Sequence, residues 1–340
     1  MTPKTNANID VYFDAHSDML SNVTDERALG RRGVIADEFL PGMAASRIEY
    51  RVAAVFIDDS YLPEQALRRA INMIAALYRE LETTDAIRLA TAAPALDRVN
   101  EQTHTLVLGL EGAEPLMGEL STLDIFHRLG VRLLTLTHSR RNAVGEGCFY
   151  DDRRTGTRGG ITEFGLDVIE RLDELGIVLD VSHLNQTGFW DVVEFVDYPF
   201  IASHSNCRAI HDHPRNLTDA QLKAIADAGG VIGLTPVAGF IGPDPTIEDF
   251  LAHVDHAVDV AGVDHVGFGF DFYEYMAKHR AGWDPDDPPF GGMATGIESD
   301  AEVQNLAPAL RDRGFDAQAV AKLTHENFLD SFQKILPEKT

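Results

Sequence analysis

Short apolar, β-branched runs alternate with longer amphipathic stretches along the 340 residues, and this rhythm predicts βα units around a parallel sheet. Eight runs read as strands: 11–18 (VYFDAHSD), 51–58 (RVAAVFID), 104–112 (HTLVLGLEG), 131–139 (VRLLTLTHS), 177–183 (IVLDVSH), 200–205 (FIASHS), 230–236 (GVIGLTP) and 265–271 (HVGFGFD). Between them apolar residues recur at helical spacing, as in 63–82 and in 164–176, the latter stopping on Gly176. Eight such units favour a closed sheet over an open one. The expected fold is α/β, a (β/α)8 TIM barrel forming one domain over 1–340, with terminal helices at 299–336 packed on it. No repeat, low-complexity tract or linker divides the chain.

At or next to the ends of six of the eight runs stand residues read as potential metal ligands or acids: Asp18, Glu111, His138, His183, His204 and Asp271. In a parallel barrel these ends share one face, where active sites of this architecture are built. Apolar strands need no charged residue there for packing. One would mean little, but six converging on one mouth predict a site.

The residue types suggest metal. His16 and Asp18 are two apart on a strand, so their side chains leave on the same side and can hold one ion together. His183 and His204 come from neighbouring strand ends, an arrangement that suits Zn²⁺. Glu111 closes a run of Val and Leu, where a carboxylate is costly to bury unless cations neutralise it. With the His/Asp pair on one side and two imidazoles on the other, Glu111 is the expected bridge of a binuclear site at the C-terminal mouth. A carboxylated lysine is the other common bridge, yet none of the six Lys residues ends a strand.

Composition narrows the partners. Fifty-four Asp and Glu against 29 Lys and Arg leave a net charge of −25, which should repel nucleic acid and anionic membranes. Acidic excess with scarce Lys fits work in high salt as well as it fits a merely soluble acidic surface. No apolar run approaches the roughly 20 residues of a membrane span, and the first ten residues carry no apolar leader core. Two cysteines, Cys148 and Cys207, make no disulfide framework, so the cytoplasm is the expected location and free thiols the expected state.

The motifs DAHSD (14–18), GLEG (109–112), LTLTHS (134–139), LDVSH (179–183), SHSNCRAIHDHPRN (203–216) and GFD (269–271) together resemble the membrane (renal) dipeptidase family, in order and over nearly the whole chain. The resemblance implies two zinc ions, one held by His16, Asp18 and Glu111, the other by Glu111, His183 and His204. It implies that His138 contacts the scissile carbonyl oxygen, that Arg215 holds the substrate's C-terminal carboxylate, and that Asp271 stands beside a bridging water or hydroxide. The activity implied is hydrolysis of L,L-dipeptides, with L,D-dipeptides often tolerated in the family, by a homodimer. The chain departs from better-known members in the loop SRRNAVGEGCF after LTLTH, in Val237 where an aromatic is expected, and in HENFL (325–329), which lacks a glycine.

Other readings stay open beside it. The same metals could open a β-lactam or hydrolyse an N-acyl amino acid, and a barrel that had lost its chemistry could serve as a binding protein. His211 and His213 read as loop histidines with a role near substrate at most. His253 and His256 read as surface or packing residues of an outer helix.

Overall fold

A computed structural model describes residues 10–149, 159–280 and 288–339. The polar N-terminal stretch, expected to carry no leader, lies outside them apart from Asp10. Eight parallel strands form one sheet: β1 (Tyr12–Ser17), β2 (Ile48–Phe56), β3 (Ile87–Leu89), β4 (His104–Glu111), β5 (Val131–Thr135), β6 (Val178–Asp180), β7 (Ile232–Leu234) and β8 (Val266–Phe268). The order β6-β5-β4-β2-β1-β8-β7 curls into a half-barrel, and β3 pairs with the N-terminal part of β4. Among the described residues no helix is long and apolar enough to cross a membrane.

Two departures from the expected strands have physical causes. The three residues of β3 were not anticipated, because so short an element leaves no periodic trace. The run at 200–205 forms single bridges instead of a strand: Ile201 pairs with Asp180 and Ala202 with Ile232, between the two outer strands of the sheet. Its ladder stops where a side chain takes over, since the Ser203 N–H donates to the Asp180 carboxylate at 2.9 Å and not to a neighbouring carbonyl. Gly233 and Gly269 let this segment approach, for a Cβ at either position would lie within 2.0 Å of the Ser203 carbonyl oxygen.

The helices form as their patterns require. Glu163–Leu175 begins at Thr162, whose hydroxyl accepts from the Gly165 N–H, and stops on Gly176 in the left-handed conformation (φ 65°). Val168, Ile169 and Leu172 form its buried face. Apolar packing separates into two cores. The larger lies between the strands and their helices. The smaller gathers alternate strand residues, among them Phe13, Ala15, Tyr50 and Val52, around Phe328 and Phe332 of the helix Asn327–Ile335. The Phe13 ring lies 5.6 Å from Phe328 and 5.1 Å from Phe332. This aromatic plug is the floor of the half-barrel, and the carboxyl ends of the strands form its mouth.

Candidate metal centre

The mouth residues arrive by different routes. Glu111 is the last residue of β4, and His16 lies within β1, where the pairing with β2 shifts register between Asp14 and Ser17. Asp18 stands at the N-cap of the helix Met19–Ala28, yet its side chain makes no capping bond and is left for the mouth. His138, His183 and Asp271 each lie three residues past the ends of β5, β6 and β8. His183 (φ 65°) and Asp271 (φ 55°) adopt left-handed backbone, a strain of roughly 1–3 kcal/mol per residue that persists where the surroundings impose it.

These six side chains and His204 converge. His16 Nε2 is 3.9 Å from Asp18 Oδ1, 3.8 Å from Asp271 Oδ1 and 3.7 Å from Glu111 Oε2. The other oxygen of the same carboxylate, Glu111 Oε1, is 3.1 Å from His183 Nε2 and 3.6 Å from His204 Nε2, and those two nitrogens are 2.9 Å apart. Ligand atoms on one ion at bonds of about 2.0–2.1 Å lie about 3 Å from each other. Glu111 therefore turns one oxygen to each of two groups of donors.

The electrostatics of this cluster are those of a site built around positive charge. Burial pushes Asp18 up to about 7, and burial with the neighbouring Asp18 and Asp271 carboxylates pushes Glu111 far above the usual range. Asp271 rises for the same reasons, burial first and then Asp18. Burial, with the Arg215 charge behind it, drops His16 to about 3, and His183 and His204 are also held well below an ordinary imidazole. Protein alone thus favours protonated acids and neutral imidazoles packed together. A divalent cation reverses the first preference and exploits the second. The donors fit one: His16 Nδ1 and Nε2 and Asp18 Oδ1 are buried without a hydrogen-bond partner among the described residues. Three overlapping sets have ligand atoms within 4.8 Å of one another: His16/Glu111/His204, Glu111/His138/His183 and His16/Asp18/Asp271.

His138 differs from the other imidazoles. Its Nδ1 lies 3.4 Å from Arg140 Nη1 and 3.0 Å from Ser139 Oγ. A guanidinium can only donate, so Nδ1 is the acceptor and a neutral ring carries its hydrogen on Nε2. Burial first, then Arg140 and Arg215, keep that ring neutral. His138 is therefore a donor aimed at the cluster, suited to a carbonyl oxygen.

A cavity of about 280 Å³ opens above these groups, reaching Asp18, Glu111, His138 and Asp271 below and Phe56 and Phe240 on its walls. Arg215 does not line it. It is buried one layer behind, donating from Nη1 to Ser205 Oγ (2.5 Å) and from Nη2 to the His204 carbonyl, with Nε unpartnered among the described residues. Its guanidinium lies 5.8 Å from the Phe240 ring. Val237 does line the cavity, and Phe240, three residues on, supplies an aromatic there. His253 is fully buried with Nδ1 accepting the Cys207 N–H, whereas His256 pairs with Asp219 at the surface. Cys148 and Cys207 are buried free thiols.

Sequence reasoning missed the buried aspartates beneath the mouth. Asp14 accepts from the His16 and Phe270 N–H groups and from Arg51, while Asp180 accepts from Ser182 and Ser203. The signal was an acid inside an otherwise apolar strand, two or three residues before a histidine, in FDAH and LDVSH. Arg140, which braces His138, gave none.

Comparison with known proteins is consistent along the chain. A sequence model of the membrane dipeptidase family (peptidase family M19) matches residues 7–336. A Klebsiella pneumoniae protein encoded in the pqqA 5′ region is 32% identical over 253 residues, which is 72% of this chain and 87% of that one. The dipeptidase tcpJ of Claviceps purpurea is 27% identical across 79% of this chain, but this chain spans only 60% of its length. Among solved structures, dipeptidase AC, a metallopeptidase of family M19, superposes with a TM-score of 0.83 at 28% identity, covering 97% of this chain and 99% of its own. A Rhodobacter sphaeroides metallopeptidase liganded with a phosphinate mimic of the dipeptide L-Ala-D-Ala gives 0.82 at 27% identity, covering 96% and 100%.

Proposed function

The chain belongs to the membrane dipeptidase family, and from that premise we propose that it is a two-zinc dipeptidase cleaving L,L- and L,D-dipeptides. One observation carries this reading: Glu111 turns its two oxygens to separate donor groups, His16 with Asp18 and His183 with His204. The ligands proposed are His16, Asp18 and Glu111 for one ion and Glu111, His183 and His204 for the other, at the mouth of a (β/α)8 barrel whose sixth position is the 200–205 segment. When bound, such ions supply a water acidic enough to attack at neutral pH and a Lewis acid for the carbonyl.

The remaining work falls to the chain's own groups. Asp271, 3.8 Å from His16 Nε2 and held in left-handed backbone, accepts the attacking water's proton and returns it to the leaving amine. His138 donates from Nε2 to the carbonyl oxygen as negative charge develops there, and Arg140 and Ser139 hold the ring for that task. Arg215 takes the free α-carboxylate, which requires its fork to release the His204 carbonyl or to use the unpartnered Nε. A cation so close to the ligands leaves room for two residues, so tripeptides should be poor substrates. This reading has the whole chain acting as one hydrolase domain, in the cytoplasm, as a homodimer.

The test is amino-acid release from a panel of L,L- and L,D-dipeptides by the Zn²⁺-supplied protein, with tripeptides, N-acyl amino acids and a β-lactam alongside and Glu111→Ala as control. Turnover confined to dipeptides and lost in the control is expected. Cleavage of only N-acyl amino acids or the β-lactam would keep the metal centre and replace the substrate.

A further inference from the structure

Two buried aspartates sit one step below the mouth, and they are matched. Asp14 accepts the N–H of His16 (3.2 Å) and of Phe270 (2.9 Å), the residue before Asp271. Asp180 accepts the N–H of Ser182 (2.9 Å), the residue before His183, and of Ser203 (2.9 Å), the residue before His204. Each ties together two strand ends that carry site residues. They differ in their second oxygen. Asp14 Oδ2 receives Arg51 Nε at 2.8 Å, whereas Asp180 Oδ2 receives two hydroxyls, Thr135 Oγ1 and Ser203 Oγ, both at 2.6 Å.

The consequence lies in Ser203. Its hydroxyl has one hydrogen, and Asp180, already accepting two N–H groups and the Thr135 hydroxyl, has only lone pairs to offer. That hydrogen therefore goes to Asp180. Ser203 Oγ also lies 2.7 Å from His204 Nδ1, and with its hydrogen committed it can only accept there. His204 then carries its hydrogen on Nδ1 and leaves Nε2 bare, facing His183 and Glu111. Ser182 completes the frame by accepting the His204 N–H at 3.1 Å.

We infer that Asp180 is a positioning residue that acts through Ser203 to hold His204 in the tautomer whose Nε2 lone pair faces the metal centre. This rests on the two-metal reading above. A carboxylate behind a ligating imidazole is a recurrent means of orienting it, and losing such a partner typically weakens metal binding 10–100-fold. Here a hydroxyl stands between carboxylate and ring. Asp14 makes no such relay, since His16 Nδ1 has no partner among the described residues.

The experiment is a long-range ¹H–¹⁵N correlation spectrum of metal-free, ¹⁵N-histidine-labelled protein, with His204 assigned by its loss in His204→Gln. Zn²⁺ titration against a chromogenic chelator runs in parallel. Wild type should show His204 protonated at Nδ1. In Asp180→Asn the amide donates to Ser203 Oγ, the hydroxyl turns its hydrogen toward Nδ1, and the ring should move to the Nε2–H form. One of the two zinc affinities should fall about 10–100-fold and the other hold. Ser203→Ala, a smaller change should Asp180→Asn not fold, should free the tautomer and weaken the same ion. Asp14→Asn should leave the His204 tautomer unchanged. An Nε2–H ring in wild type, or Ser203→Ala with the wild-type tautomer and both affinities within about twofold, overturns the inference. A wild type that binds no zinc overturns the two-metal reading instead, while the tautomer spectrum still decides the relay.

Discussion

The same strands build two opposite environments, an aromatic floor and an ionisable mouth. At the floor Phe13, Tyr50, Phe328 and Phe332 pack ring against ring with no carboxylate or imidazole among them, and Gly267 admits Phe328, whose ring would lie 2.6 Å from an added Cβ. At the mouth three carboxylates and four imidazoles crowd together, two of their residues in left-handed backbone and several of their atoms without a partner among the described residues. The floor is optimised for the chain alone. Among the described residues the mouth's orphaned donors fit a divalent cation, so the contrast separates residues that serve stability from candidates for chemistry.

The largest effect that could break this contrast is at Glu111. Glu111→Ala should cost at least about a thousandfold in dipeptide hydrolysis and abolish stoichiometric metal binding. Its metal-free stability should match or exceed wild type near pH 7. The sign follows from the raised pKa: folding favours the protonated acid, so its contribution is lost as pH rises above the unfolded value of about 4.5. Turnover assays, metal analysis and urea unfolding check the three statements, and a strongly destabilised metal-free variant would mean the mouth is structural after all.

Phe328→Ala is the opposite experiment. It should cost about 3–5 kcal/mol of stability by urea unfolding while the folded fraction keeps its metal content. Loss of metal in proportion to the stability lost would show floor and mouth to be one unit.

Removing metal should act on the mouth alone. Chelation should destabilise wild type by about 2.7 kcal/mol for each of the two proposed ions, relative to protein at a hundredfold excess of metal over the dissociation constants. Glu111→Ala should show no change in the same calorimetric comparison.

The smallest expected effect sharpens the contrast from a third place. His253 is buried outside the mouth, and burial lowers it to about 4. Its neutral Nδ1 accepts the Cys207 N–H at 3.1 Å. A histidine so lowered stabilises the fold above about pH 6.5, and that contribution is lost as pH falls toward 4. Thermal midpoints measured from pH 8 to 4.5 should fall less steeply in His253→Gln than in wild type.

Much of the site was legible as soon as the strands were, because strand ends in a parallel sheet share one face and residue type then speaks for chemistry. Asp18, Glu111, His138, His183, His204 and Asp271 were named on that ground, and the structure gathers them with His16. Family motifs added Arg215, which the structure buries behind the candidate ligands with its fork turned to Ser205 and the His204 carbonyl. Asp180 was read as part of a motif and not as a residue with a task. Its place inside an apolar run marks a carboxylate that will be buried, but nothing local says which four donors it will meet.

Sequence alone therefore determined the alternation of strand and helix, the polar strand ends and their candidacy as metal ligands, since these depend on periodicity and residue chemistry. Tertiary structure decided which oxygen of Glu111 faces which donors and that 200–205 pairs through single bridges. It also decided that Asp14 and Asp180 each tie two strand ends. Those properties belong to contacts between residues up to 256 positions apart, as from Asp14 to Phe270, and no local pattern encodes which partner a side chain will meet.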